Sequence, residues 1–96
     1  MSNVLEVIGR QGKRVCLSKE RWKHISKHHP NVNNLHDIEE TVKNPINTIT
    51  DEEENIVAYF RHFKLREGTA KYLKVIVKYL NGEGYIVTSY YVKLLT

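Results

Sequence analysis

One cysteine, two prolines, one tryptophan and no long apolar run set the first limits on this 96-residue chain. A lone Cys16 can form neither an intramolecular disulfide nor a cysteine-pair zinc site, so a reducing compartment is the expectation. No stretch approaches the ~18 apolar residues of a membrane helix, and the N-terminus lacks the apolar core of a signal peptide. The chain therefore reads as soluble and cytoplasmic, with no membrane partner. Its five glycines build no G-x-x-x-x-G-K-[ST], no G-x-G-x-x-G and no G-x-S-x-G, which leaves nucleotide hydrolysis, dinucleotide binding and serine-hydrolase chemistry without support.

What is present is positive charge, and it is clustered. Arg10 to His29 carries seven Lys and Arg against Glu20 alone, with three histidines besides. Arg61 to Lys78 carries six against Glu67, while acids gather in Asp51-Glu52-Glu53-Glu54 and at Glu39-Glu40. With a net charge of +4 and a pI near 9.2, this pattern favours a polyanionic partner, most simply RNA. A solvated basic surface is the plain alternative.

The length fits one domain over residues 1–96. Val4 to Ile8 and Arg14 to Leu17 look like a hairpin across Gly9 to Gly12. Ser18 suits a helix N-cap, with Trp22, Ile25 and His29 on one face before Pro30 ends the helix. Leu35, Ile38 and Val42 mark a second short helix that stops at Asn44-Pro45. From Ile46 onward β-branched and aromatic residues dominate four runs, and Asn81-Gly82 is a strong hairpin signal. Helices gathered ahead of a run of strands predict an α+β fold in which N-terminal helices pack on one face of an antiparallel β-sheet.

Arg21, His24 and His28 share a stripe of the first helix, so two imidazoles lie within reach of one ligand. Imidazoles exchange protons near neutral pH, as general acid and base catalysis of phosphodiester cleavage requires. Among Trp22 and Ile25, His29 is expected half-buried, as a neutral base or a structural hydrogen-bonder. A metalloprotease-like zinc site is disfavoured, because Ile25 stands where H-E-x-x-H needs glutamate and no third ligand is evident. No metal and no cofactor are expected, and Cys16 is read as packed rather than nucleophilic. On the penultimate strand, Leu73, Val75, Val77 and Tyr79 alternate with Tyr72, Lys74, Ile76 and Lys78, and the second set suits gripping phosphates and stacking bases. Whether Ser89 and Tyr91 or Thr88 and Tyr90 join those lysines depends on the parity of the last hairpin, which sequence leaves open.

Trp22-Lys-His24-Ile25, His29-Pro30, the helix ending at Asn44-Pro45, Tyr59-Phe-Arg61, Leu73-Lys-Val75-Ile-Val77-Lys78 and Val87-Thr88-Ser-Tyr90 occur in a familiar order. Over Leu17 to Leu94 the chain resembles the phage and prokaryotic branch of the barnase, EndoU, colicin and RelE-like nuclease superfamily. That resemblance implies a barnase or RelE-like fold and RNA cleavage without metal, with His24, His29, Arg61, Lys78, Thr88 and Tyr90 as catalytic residues. Ser89 replaces the alanine usual in the last motif and adds a possible hydroxyl. With Arg21, Lys27, His28, Tyr72 and Lys74 it completes the expected nucleic-acid-binding set. The implied activity is an endoribonuclease in which a 2′-OH attacks its neighbouring phosphate to leave a 2′,3′-cyclic phosphate. The implied setting is a toxin or phage-derived effector acting on tRNA or mRNA and held in check by an acidic antitoxin or immunity protein. A non-catalytic nucleic-acid-binding module, or a protein-interaction or phage structural domain, are the competing readings.

Overall fold

The computed structural model describes residues 2–96. Two strands, β1 (Asn3–Ile8) and β2 (Arg14–Ser18), precede two helices, α1 (Lys19–His28) and α2 (Leu35–Lys43). Four further strands follow, β3 (Asn47–Asp51), β4 (Ile56–His62), β5 (Tyr72–Leu80) and β6 (Glu83–Val92). All six strands form one sheet in the order β1-β2-β6-β5-β4-β3.

Local chemistry sets the boundaries. The Ser18 hydroxyl accepts from the Arg21 N–H at 3.1 Å and opens α1, and the His29 N–H closes it on the Ile25 carbonyl at 2.7 Å, just before Pro30. Asn34 caps α2 through the His36 N–H at 2.9 Å. The far end of α2 is held by Arg61, whose Nη1 donates to the Asn44 carbonyl at 2.7 Å, a cation where the helix dipole is negative. Asn81 and Gly82 both have positive φ, 53° and 82°, which makes the two-residue β5–β6 connection a primed hairpin turn.

The expected fold, helices packed on one face of an antiparallel sheet in the barnase or RelE manner, is corrected by this topology. With 44% of the chain in strands and 20% in helices, the sheet and not a helical layer sets the architecture. It is also mixed. The N-terminal hairpin joins it through a parallel pairing of β2 with β6, confined to Val15 with Gly84 and Cys16 with Tyr85. The two short helices are inserted between the second and third strands, and α1 begins directly after β2 and packs against β6, β2 and β1.

Ile25, Val32, Ile38 and Val42 bury against Val15, Leu17, Tyr59, Leu73, Val75, Val77 and Ile86 to form the core. Gly84 makes the parallel junction possible. A Cβ there would come within 2.8 Å of both Tyr79 and Val77 side-chain carbons and 3.0 Å of Val15. Overpacking of this kind costs about 1 to 3 kcal/mol, so Gly84→Ala is expected to lower the urea midpoint accordingly. An unchanged midpoint would mean that Tyr79, Val77 and Val15 do not close around this position.

Candidate nucleic-acid interface

Register decides which side chains meet. On β5, Leu73, Val75 and Val77 are buried on the helix side, which leaves Tyr72, Lys74, Ile76 and Lys78 on the outer face. A two-residue turn followed by an unbroken ladder would place Ser89 and Tyr91 beside those lysines. The ladder is broken, because Val77 pairs with Ile86 while Ile76 pairs with Thr88, so Val87 is an extra residue in β6. Thr88 and Tyr90 are thereby brought to the outer face, opposite Ile76 and Lys74. Ser89 turns inward instead. It is fully buried and its hydroxyl donates to the Lys74 carbonyl at 2.9 Å, a structural bond that withholds it from solvent.

Tyr90 is where the helix and the sheet converge. The His29 ring stacks on it with centroids 5.2 Å apart, and the Lys74 ammonium lies 5.7 Å from its ring centre and 5.4 Å from that of Phe60. Lys74 Nζ also donates to the Thr96 main-chain oxygen at 2.8 Å. Along α1, His24 and His28 face each other with centroids 4.4 Å apart, and Arg21 and Lys27 are exposed on the same helix. A shallow depression beside Ser18 and Glu20 reaches Arg21 and His24. Four residues along β5, about 13 Å at ~3.3 Å per residue, Lys78 sits on the same face as Lys74. Its ammonium is bound to the Glu54 carbonyl and lies 3.9 Å from the Glu54 carboxylate.

Arg61 is not part of this group. It pairs with Leu73 and so belongs to the helix-facing side of β4, where it holds the end of α2. Two neighbours escaped the sequence reading. Phe60 is fully buried although it lies on the outer side, and His62 packs against Tyr72 with centroids 4.9 Å apart. Alternation along β4 would have found His62, but the adjacent buried pair Tyr59 and Phe60 hides that alternation. Cys16 is buried, and burial raises its thiol pKa, as expected of an inert packed cysteine. Among the described residues no group of three or more His, Cys, Asp or Glu side chains is placed to hold a metal ion.

His24 is held below its ordinary pKa of 6.5, first by desolvation and then by the charges of His28, Arg21, His29 and Lys27. It is therefore a neutral proton acceptor at pH 7. Because the folded chain binds a proton at His24 less readily than the unfolded chain, the effect vanishes above the ordinary value and costs stability as pH falls below it. In His28→Gln the His24 midpoint, followed by NMR, is expected to rise toward 6.5. A midpoint that stays put would leave the effect to desolvation and to the charges of Arg21, His29 and Lys27. The chain matches no family model, no curated protein and no solved structure.

Proposed function

We propose that this protein is a metal-independent endoribonuclease that works at the junction of α1 with the outer face of β5 and β6. The observation that carries the reading is Tyr90, which has an imidazole stacked on it and a lysine ammonium beside it. In the proposed reaction His24, neutral at pH 7, accepts the proton of a ribose 2′-OH as that oxygen bonds to the adjacent phosphorus. His29 returns a proton to the 5′-oxygen as its bond to phosphorus breaks. Lys74 offsets the charge that builds on the phosphoryl oxygens, Thr88 and Tyr90 orient them, and Lys78 meets a neighbouring phosphate. The products are a 2′,3′-cyclic phosphate and a 5′-hydroxyl. Arg61 has no step in this scheme.

Arg21, Lys27 and His28 extend the cationic surface along α1, and Tyr72 offers a ring for base stacking further along β5. Cytoplasmic tRNA or mRNA is the proposed substrate, and an acidic protein covering the same face is the proposed inhibitor, in keeping with a toxin or phage-derived effector. The resemblance of the sequence motifs to the barnase, EndoU, colicin and RelE-like nucleases supports this chemistry, apart from the fold.

The test is incubation of the purified protein with tRNA and mRNA in EDTA, with analysis of fragment ends. Cyclic-phosphate ends are expected. Activity that needs an added divalent ion, or 3′-hydroxyl ends, would overturn the mechanism. Salt-sensitive binding without any turnover would instead favour a nucleic-acid-binding module.

A further inference from the structure

Away from the helix stripe, a second concavity of about 550 Å³ opens between the α1–α2 loop and the β4–β5 loop. That volume is in the range of small-molecule sites, roughly 300 to 1,000 Å³. Its floor is aromatic, with Tyr91 meeting Phe63 edge to face at 6.3 Å. Over Tyr91 lies the Arg66 guanidinium, 3.5 Å from the ring centre. Its Nε is committed to the Ala70 carbonyl at 3.2 Å, and its main-chain N–H to the Phe63 carbonyl at 3.2 Å. The guanidinium plane is thus fixed by the loop that carries it. Asn31, Asn33, Lys64 and the Asp37 carboxylate also line the concavity.

Each part has a counterpart in one kind of ligand. A planar guanidinium laid over a ring is a platform on which a base stacks, and side-chain amides present both donors and acceptors to a base edge. Two cations in the lining, Lys64 and Arg66, against the one carboxylate of Asp37, suit the phosphate attached to it. The Tyr91 phenol, raised in pKa first by burial and then by Asp37, stays protonated at neutral pH as a further donor.

We infer that this groove holds a nucleobase of the bound RNA, stacked on Arg66 over Tyr91, with Asn31 and Asn33 reading its edge. The inference rests on the ribonuclease reading for its biological meaning. Asn31 follows His29 by two residues and Tyr91 follows Tyr90 by one, but Tyr91 pairs with Leu73 on the helix side while Tyr90 pairs with Lys74 on the outer face, so an RNA reaches both sites only by crossing the edge of β6. The groove is therefore a subsite for a base at some distance along the strand from the cleaved bond.

Nucleoside 5′-monophosphates of the four bases, ribose 5-phosphate and inorganic phosphate are the probes, each titrated into the wild-type protein under two-dimensional NMR. A nucleotide is expected to move the amides of Asn33, Leu65 and Arg66, and to bind about tenfold more tightly than ribose 5-phosphate, the scale of one stacked base. Arg66→Ala is expected to remove that advantage. Asn33→Ala, an exposed position with little bearing on folding, is expected to change the ranking of the four bases. Equal binding of ribose 5-phosphate and nucleotides, or no response in the groove, overturns the inference. Because this readout involves no turnover, a protein that binds nucleotides in the groove and cuts no RNA refutes the ribonuclease reading alone. One that cuts RNA with a silent groove refutes the base subsite alone.

Discussion

Replacing His29 with alanine is expected to slow RNA cleavage by on the order of a hundredfold, because a general acid or base contributes roughly 10² to 10⁴ in rate. The fold should survive the change. The helix closes through the His29 main-chain N–H to Ile25, which alanine keeps, and the lost contact is the ring stacked on Tyr90. Arg61→Ala is the informative partner. The motif resemblance makes Arg61 catalytic, yet its guanidinium holds the Asn44 carbonyl on the helix side of β4. Its removal should leave the rate within about twofold, while costing stability of about 0.5 to 1.5 kcal/mol for one hydrogen bond. Single-turnover cleavage by both variants, with folding checked by circular dichroism, decides the matter. Equal losses at Arg61 and His29 would mean that the reaction does not take place on the outer face.

Most elements were legible because their signals are local. Ser18 as a cap, Pro30 and Pro45 as stops and Asn81-Gly82 as a turn each act within a few residues, and each is found where the chain predicts it. The assembly of the sheet was not legible, because what decides it is sparse. The parallel junction rests on two residue pairs, and the only trace it leaves in the sequence is Gly84, whose missing side chain lets Val15, Val77 and Tyr79 close around it. The facing of the last strand was hidden for a different reason. Residues Tyr85 to Val92 are nearly all β-branched or aromatic, so no alternation marks a side, and the extra residue Val87 reverses the parity that the tight turn alone would give. The candidate site inherits that history: Thr88 and Tyr90 are outward because of a bulge, while Ser89 is lost to the interior. The side of the sheet on which Arg61 sits was hidden for a related reason, since Tyr59 and Phe60 are both buried and the strand shows no solvent side at that point.

Phe60 is the residue through which stability and binding are expected to be coupled, and its truncation should have the largest effect on folding of any single change on the outer face. It is fully buried although it lies on the outer face, away from the Leu73, Val75 and Val77 side of the core, flanked by Asn47 on β3 and Lys74 on β5. The Lys74 ammonium, 5.4 Å from its ring centre, reaches on to the Thr96 main-chain oxygen, which ties the end of the chain to this face. Phe60→Ala would empty that space, and a buried phenylalanine cut to alanine costs about 3 to 5 kcal/mol, a large part of the ~5 to 15 kcal/mol that holds a small domain together. The urea midpoint of the purified variant measures it, and a loss under about 1 kcal/mol would show that the outer face is not a packed layer. Phe60→Leu separates the two roles. It keeps most of the apolar volume while removing the ring beneath Lys74, whose attraction is worth about 0.5 to 1 kcal/mol at an exposed site. In that variant the unfolding free energy should fall by less than about 1.5 kcal/mol, and Lys74, no longer steered by the ring, should bind a non-cleavable 2′-deoxy oligonucleotide two- to fivefold more weakly. Unchanged affinity in a folded Phe60→Leu protein would place the RNA away from Lys74 and with it away from Tyr90.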